Sequence, residues 1–288
     1  MVKRMFEQDF SEGFAGLQGL SIEDWRFLTI AEEGVCHLED GNYELPLPLK
    51  NPSVKLPDNR ELAVCRLSQL KRRFMTNEQY RRDYVEFMEN VIKRGYARRV
   101  LQKVSTDKNA QNDQEQEFDS SAPHFKVHQV WYKPHNGVYH PKKPNKICVL
   151  FDCAAEFRGE SLNKNLLQGP DLTNTLSGVL CRSRQEPVGL MCDIEYTFYQ
   201  VSMKEEHRDL FRFLWWEDGN ITRDPVEYMM AVHLFGATTS PGWPNFALKR
   251  TAQDHKKEFG TVVADFLRRE FYVDDGLKSC PTSRRPTT

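Results

Sequence analysis

In the first hundred residues the apolar positions recur at helical spacing. In "RELAVCRLSQLKRRFM" they are Leu62, Cys65, Leu67, Leu70 and Phe74. In "NEQYRRDYVEFMENVIKRGYARRV" they are Tyr80, Tyr84, Phe87, Met88, Val91 and Ile92, with Asn77 as N-cap and Gly95 as stop. Residues 1–45 read as mostly helical and acidic. "YELPLPLKNPSVKLPDNR" (43–60) reads as extended, because each proline blocks a helix and restricts the residue before it. "STDKNAQNDQEQEFDSSAPH" (105–124) is polar, almost free of aliphatics, and reads as a mobile loop. There is no internal repeat.

Beyond the loop the pattern turns to short apolar runs. "HQVWYKP", "GVYHP" and "NKICVLFDCAA" read as strands. A turn at Gly169-Pro170 precedes a helix started by Asp171 or Thr173. "VGLMCDI" is an apolar strand expected in the interior, and "MKEEHRDLF" a helix. "FRFLWW" and "VEYMMAVHLF" form a hairpin across "EDGN". "NFALKRTAQDHKKEF" and "TVVADFLRRE" are helices. "FYVDD" and "GLKSC" form a second hairpin, with Phe271 and Val273 on one face and Asp275-Gly276 as a tight-turn dipeptide. "PTSRRPTT" is a frayed tail. Strands, helices and hairpins mixed in this way predict an α+β fold, an antiparallel sheet with helices packed on one face.

Composition narrows the class. The chain has 288 residues, 39% hydrophobic and 28% charged, enough to bury a core. The formal net charge of −1 gives no overall attraction to a polyanion, so any basic surface is local. Basic residues crowd the two amphipathic helices from Arg66 to Lys103. A solvated helix face and a phosphate-contacting surface both fit them. No apolar leader and no run near 18 apolar residues is present, so secretion and membrane spanning are not expected. Seven scattered cysteines read as reduced thiols of an intracellular protein, cytoplasmic or nuclear. His124, His128, His135 and His140 precede Cys148 and Cys153. With no Cys-x-x-Cys pair, and with the two thiols five apart on a strand, they do not read as a zinc site.

Three carboxylates carry the candidate chemistry. Asp274 and Asp275 sit at a hairpin tip, where Asp-Asp-Gly is also simply a good turn. Asp193 ends the apolar run Val188 to Cys192, where an ionised carboxylate is costly unless it pairs or binds a cation. Clustered carboxylates repel, and a hard divalent cation removes that cost. Two such cations are what in-line phosphoryl transfer uses.

At this point the sequence resembles a known family. "MCDIEYTFYQV", "LFGATTSP" and "FYVDD" occur in the order of motifs A, B and C of reverse transcriptases. "YELPLPLK", "YHPKKPNKICVLFDCAAEFRGESLN", "LLQGPDLTNTLSGVLCRSRQEPV", "RFLWWEDG", "NFALKRTA" and "FYVDDGLKS" are similar to the polymerase segment of Pao/BEL-type retrotransposon polyproteins. The resemblance runs from about residue 5 to residue 282. It implies a fingers–palm polymerase fold: a lead-in over 1–60, a fingers-like region over 61–187, a palm over 188–280 and a tail over 281–288. It implies RNA-directed DNA polymerase activity, with dNTP as substrate, Mg²⁺ (or Mn²⁺) as cofactor, and a primed RNA or DNA template as partner. The remainder of a polyprotein is a further implied partner. The chain ends before a thumb. The alternative is an inactive remnant that only binds nucleic acid or other element proteins.

The roles follow residue by residue from the resemblance. Asp193 and Asp274 are the principal metal ligands, Asp275 the weaker one, and the carbonyl of Ile194 a further oxygen. Phe198, five residues after Asp193, takes the place of the aromatic that crowds a nucleotide's 2′ position; core packing is its other reading. Tyr199 and Gln200 flank the nucleotide or template. Gly236 permits close backbone approach beneath the base pair, and Thr238, Thr239 and Ser240 donate or cap the next helix. Lys142, Lys143 and Lys146 pair with the triphosphate, or are solvated turn lysines. Trp131, Tyr132 and Tyr139 stack template bases, or form fingers core. Two positions depart from the pattern. Cys148 stands where the family has a triphosphate-clamping arginine, and a thiol supplies no planar cation. Trp243 and Pro244 stand where the family has small residues, with Trp243 adding bulk near the template path and Pro244 suited to the first helical position.

Overall fold

The structure, a computed structural model, describes residues 19–100, 129–140 and 143–282. The expected loop 105–124, His124, His128, Lys142 and most of the tail lie outside the described residues. The chain is mixed α+β and groups into two compact units, each discontinuous in sequence. The first takes Met1–Lys50, Leu162–Lys204 and Val232–Thr288. The second takes Asn51–Ser161 and Glu205–Ala231. Residues 162–187 therefore group with 188–204, and residues 205–231 with 51–161.

In the first unit, helix α1 (Ile22–Gly34) begins at a capping box. Asp24 N–H donates to Ser21 Oγ, and Ser21 N–H donates to the Asp24 carboxylate. The helix buries Phe27 and Ala31. Phe27 stacks on Trp243 with ring centroids 4.3 Å apart. Gly169 and Gly242 complete the cage, since a Cβ on either would come within 2.7 Å of the Phe27 ring. Trp243 is thus fully buried core, not bulk near a template path. Pro244 is the third residue of its helix rather than the first, still within the turn whose N–H groups have no helical partner.

The short strands β1 (Cys36–His37) and β2 (Tyr43–Leu45) pair antiparallel, and β2 pairs parallel with β7 (Val201–Met203). The second sheet of this unit holds β6 (Val188–Asp193), β10 (Phe271–Tyr272) and β11 (Asp275–Cys280), in the order β10-β11-β6. Short helix α4 (Leu176–Arg182) is capped by Thr175 rather than Asp171 or Thr173. Helices α5 (Gly242–Asp254) and α6 (Lys256–Arg269) follow, the latter broken at Gly260 with φ 81°.

In the second unit, α2 (Arg60–Thr76) and α3 (Glu78–Lys93) match their apolar periodicity. Asn77 alone joins them and caps α3 by accepting from Tyr80 N–H. Strands β3 (Ala97–Arg99), β8 (Arg212–Trp215) and β9 (Val226–Met230) form an antiparallel sheet in the order β3-β9-β8. Strands β4 (His135–His140) and β5 (Lys143–Phe151) form a hairpin. "MKEEHRDLF" is a 3₁₀ turn over Glu205–Phe211. Among the described residues, four small sheets stand in place of the single sheet expected. No helix among the described residues is long and apolar enough to cross a membrane.

The core of the second unit is aromatic, with Tyr84 stacked on Trp215 at 5.5 Å. Tyr84 O–H lies 2.6 Å from His135 Nδ1, and His135 Nε2 lies 2.9 Å from the Leu214 carbonyl. The carbonyl can only accept, so Nε2 carries the proton and Nδ1 accepts from the tyrosine. Burial pushes His135 down to about 4. Lys133 is also wholly buried. Its ammonium lies 4.9 Å from the centroid of the Phe211 ring, and Nζ has no hydrogen-bond partner. Burial pushes it down to about 8.

Both groups are bases whose folded pKa lies below the unfolded one, so the unfolded chain binds the extra proton between the two values. Stability should therefore fall as pH drops from about 6.5 to 4 as His135 is forced to charge, and rise from about pH 8 to 10.5 as Lys133 sheds its proton. Urea unfolding across pH checks both limbs. Lys133→Leu should stabilise by about 1–3 kcal/mol at pH 7 and abolish the alkaline rise.

Candidate active site

The three candidate acids converge through one register. Antiparallel pairing of β6 with β11 sets Cys192 opposite Gly276 and Asp193 opposite Asp275. Ile194 N–H donates to the Asp274 carbonyl at 3.0 Å and carries the pairing one residue further. On the other side of β11, Tyr272 pairs with Asp275. The hairpin loop is therefore Val273-Asp274, two residues earlier than the expected Asp275-Gly276. Val273 is a turn residue, not a strand residue sharing a face with Phe271. Its φ of 59° is one that a β-branched side chain rarely takes, a strain of order 1–3 kcal/mol. Gly276 serves packing instead of the turn. A Cβ there would sit 2.6 Å from Cys192 Sγ and 2.7 Å from Phe271 Cζ.

Burial, and then the charges of Asp275 and Asp193, hold the Asp274 carboxyl above its ordinary range, against its own backbone N–H. Asp193 and Asp275 are exposed. Strand β6 is not interior: among the described residues it pairs with β11 alone, and Leu190 and Met191 are 57% and 78% exposed. Among the described residues, no three or more His, Cys, Asp or Glu are gathered as a ready-made metal site. What fits a hard divalent cation is the donor chemistry: carboxylates on facing backbone positions, with a third in the adjoining turn.

Beside Asp193, the 3₁₀ turn Thr197–Gln200 presents Phe198. Phe198 packs edge to face on Phe235, with centroids 5.2 Å apart. Phe235 is 57% exposed, and the loop that carries it is held tightly. Asn163 donates to the Gly236 carbonyl and accepts from Thr238 N–H, both at 3.0 Å. Ser240 Oγ donates to the Leu234 carbonyl at 2.6 Å. Gly236 has φ 97°. Thr238, Thr239 and Ser240 do not cap α5, whose N-cap position is Pro241. Gln200 donates to the Glu195 carbonyl at 2.8 Å, and Tyr199 stacks on Tyr196. Phe235 and Asn163 were not singled out from the sequence. Asn163 lies 73 residues from its partner Gly236 and carries no local signal.

In the second unit, Lys146 and Cys148 are exposed on β5, while the Lys143 side chain lies outside the described residues. Partial desolvation of its sulfur raises the Cys148 thiol, partly offset by Lys146, which favours the uncharged form. Trp131 and Tyr132 are buried core, and Tyr139 donates to Asp83 at 2.6 Å. These bonds and burials favour core over base stacking. His135 is saturated by Tyr84 and Leu214. All seven cysteines are free thiols.

In comparison with known proteins, neither a family model nor a curated protein matches the chain.

Gly276→Ala should destabilise by about 1–3 kcal/mol in urea unfolding, because Cys192 and Phe271 leave no room. In metal-free buffer at pH 7, Asp274→Asn should raise the thermal midpoint by about 1–3 °C, since it removes one of three clustered charges. Added Mg²⁺ should raise the wild-type midpoint and leave that of Asp274→Asn nearly unmoved.

Proposed function

We propose that this chain is the fingers–palm part of an RNA-directed DNA polymerase of the Pao/BEL retrotransposon type, joining dNTPs to a primer 3′-hydroxyl on an RNA or DNA template. The observation that supports this most is the facing of Asp193 and Asp275 across β6 and β11, with Asp274 in the adjoining turn. The first and third of the three ordered motifs thus contribute the acids at this tip.

Asp193 and Asp274, with the Ile194 carbonyl, would hold Mg²⁺, and Asp275 would contribute less. The bound metal supplies a lowered pKa for the attacking hydroxyl and charge for the leaving oxygen. The chain's own residues orient and select. The Phe198 and Phe235 rings form an apolar corner that gives a ribose 2′-hydroxyl no hydrogen-bond partner. Asn163 and Ser240 keep the loop under that corner fixed. Gln200, tied to the Glu195 carbonyl, orders the turn carrying Phe198.

One observation favours a second reading, an inactive chain that still binds nucleic acid or element proteins. Cys148 offers a neutral thiol where the resemblance expects a guanidinium. Primer extension on an RNA template with Mg²⁺ separates the two. Asp274→Asn should lose more than the ~100-fold that loss of an outer-shell metal partner costs, and Cys148→Arg should raise the rate. Phe198→Ala should relax discrimination against ribonucleotides by about 10–200-fold. Incorporation untouched by Asp274→Asn would remove the metal assignment. No incorporation in any variant, with RNA binding intact, selects the second reading.

A further inference from the structure

The joint between α2 and α3 concentrates positive charge that the acidic tip does not explain. Residues 60–99 carry eleven basic and five acidic side chains in a chain of net charge −1, so the rest of the molecule is acidic. Ala63, Leu67, Leu70 and Phe74 bury one stripe of α2, which leaves Arg66, Arg72 and Arg73 exposed and Lys71 half-buried at its margin. Because Asn77 is the only residue between the helices, Arg81 and Arg82 follow Arg72 and Arg73 closely in the chain, just across the joint.

Most of these cations are unspent. Arg82 pairs with Glu78, and the Arg73 guanidinium lies 3.7 Å from the centroid of the Tyr80 ring. Arg66, Lys71, Arg72 and Arg81 make no ion pair among the described residues. Nearby Asp83 is already engaged, accepting from Gln79 and Tyr139. Attraction to the helix C-terminus accounts for Arg73 in the last turn of α2, but not for Arg66, Lys71, Arg72 or Arg81.

We infer that the α2–α3 joint is a nucleic-acid-binding surface that holds a strand through its phosphates, with Arg66, Lys71, Arg72 and Arg81 as contacts. The choice of nucleic acid over other polyanions rests on the proposed polymerase function. The surface reads charge and not sequence, because all four contacts are flexible cations with no fixed partner that would orient them toward base edges.

The test is fluorescence anisotropy of the full chain with a labelled 20-nucleotide RNA and with an RNA–DNA duplex, titrated between 50 and 200 mM KCl. The quadruple variant Arg66→Glu, Lys71→Glu, Arg72→Glu, Arg81→Glu should weaken RNA binding at least ~10-fold and lower the log–log salt slope by about 2–3. If that variant loses its helical circular dichroism, the four-glutamine version is read in its place, with the same direction expected. An unchanged Kd and salt slope in the folded variant overturns the inference. So does wild-type binding to vesicles of anionic phospholipid without binding to RNA or duplex, and so does binding to none of them. The two readings separate cleanly. A charge variant that binds normally while the wild type extends primers sinks only this surface. Charge-dependent RNA binding by a chain that never incorporates nucleotide sinks only the polymerase.

Discussion

Everything proposed about chemistry depends on the register of β11 against β6. With Gly276 opposite Cys192, Asp275 falls opposite Asp193 and the Ile194 N–H reaches the Asp274 carbonyl. A slip by one residue would turn alternate side chains to the other face and separate the acids. The register is enforced by space as well as by hydrogen bonds. At Gly276, Cys192 on one side and Phe271 on the other leave no room for a methyl group. The strained Val273 is tolerated because ladder pairs on both sides over-determine the turn.

The acidic tip and the aromatic corner are built by opposite means. The acids are brought together by sheet pairing, and burial, with a smaller part from the Asp275 and Asp193 charges, raises Asp274. The corner at Phe198 and Phe235 is held by polar side chains bonded to backbone, chiefly Asn163 and Ser240. A large apolar ring left 57% exposed above so fixed a loop costs hydration free energy that a merely structural loop would avoid. The second unit carries its own cost in Lys133, an ammonium buried without a hydrogen-bond partner, as Trp131 Nε1 and Gln129 Oε1 are also.

Much of the local structure was legible because it is written in short-range terms. The apolar stripes of α2 and α3 and the Asn77 cap need only neighbours within a turn or two, and both hairpins announce themselves by alternation around polar turns. The errors share one cause. The expected turn at Asp275-Gly276 followed local turn chemistry, yet pairing across the sheet moved it to Val273-Asp274. Trp243 looked like an obstruction because Phe27, its stacking partner, lies more than two hundred residues earlier. Strand β6 read as interior because Val188 to Cys192 are apolar, but exposure depends on how many strands flank it, and among the described residues it has one.

By itself the sequence determined the element types, the helix joint with its basic excess, the acids and their order, and the family resemblance. Each is a property of spacing or composition along the chain. Only the tertiary structure decided which backbone positions face one another. It placed Asp193 against Asp275, Phe198 against Phe235, and Asn163 beneath a loop 73 residues away. It also decided which side chains lose water. Spacing constrains what one segment can do, while pairing and burial are settled jointly by segments distant along the chain.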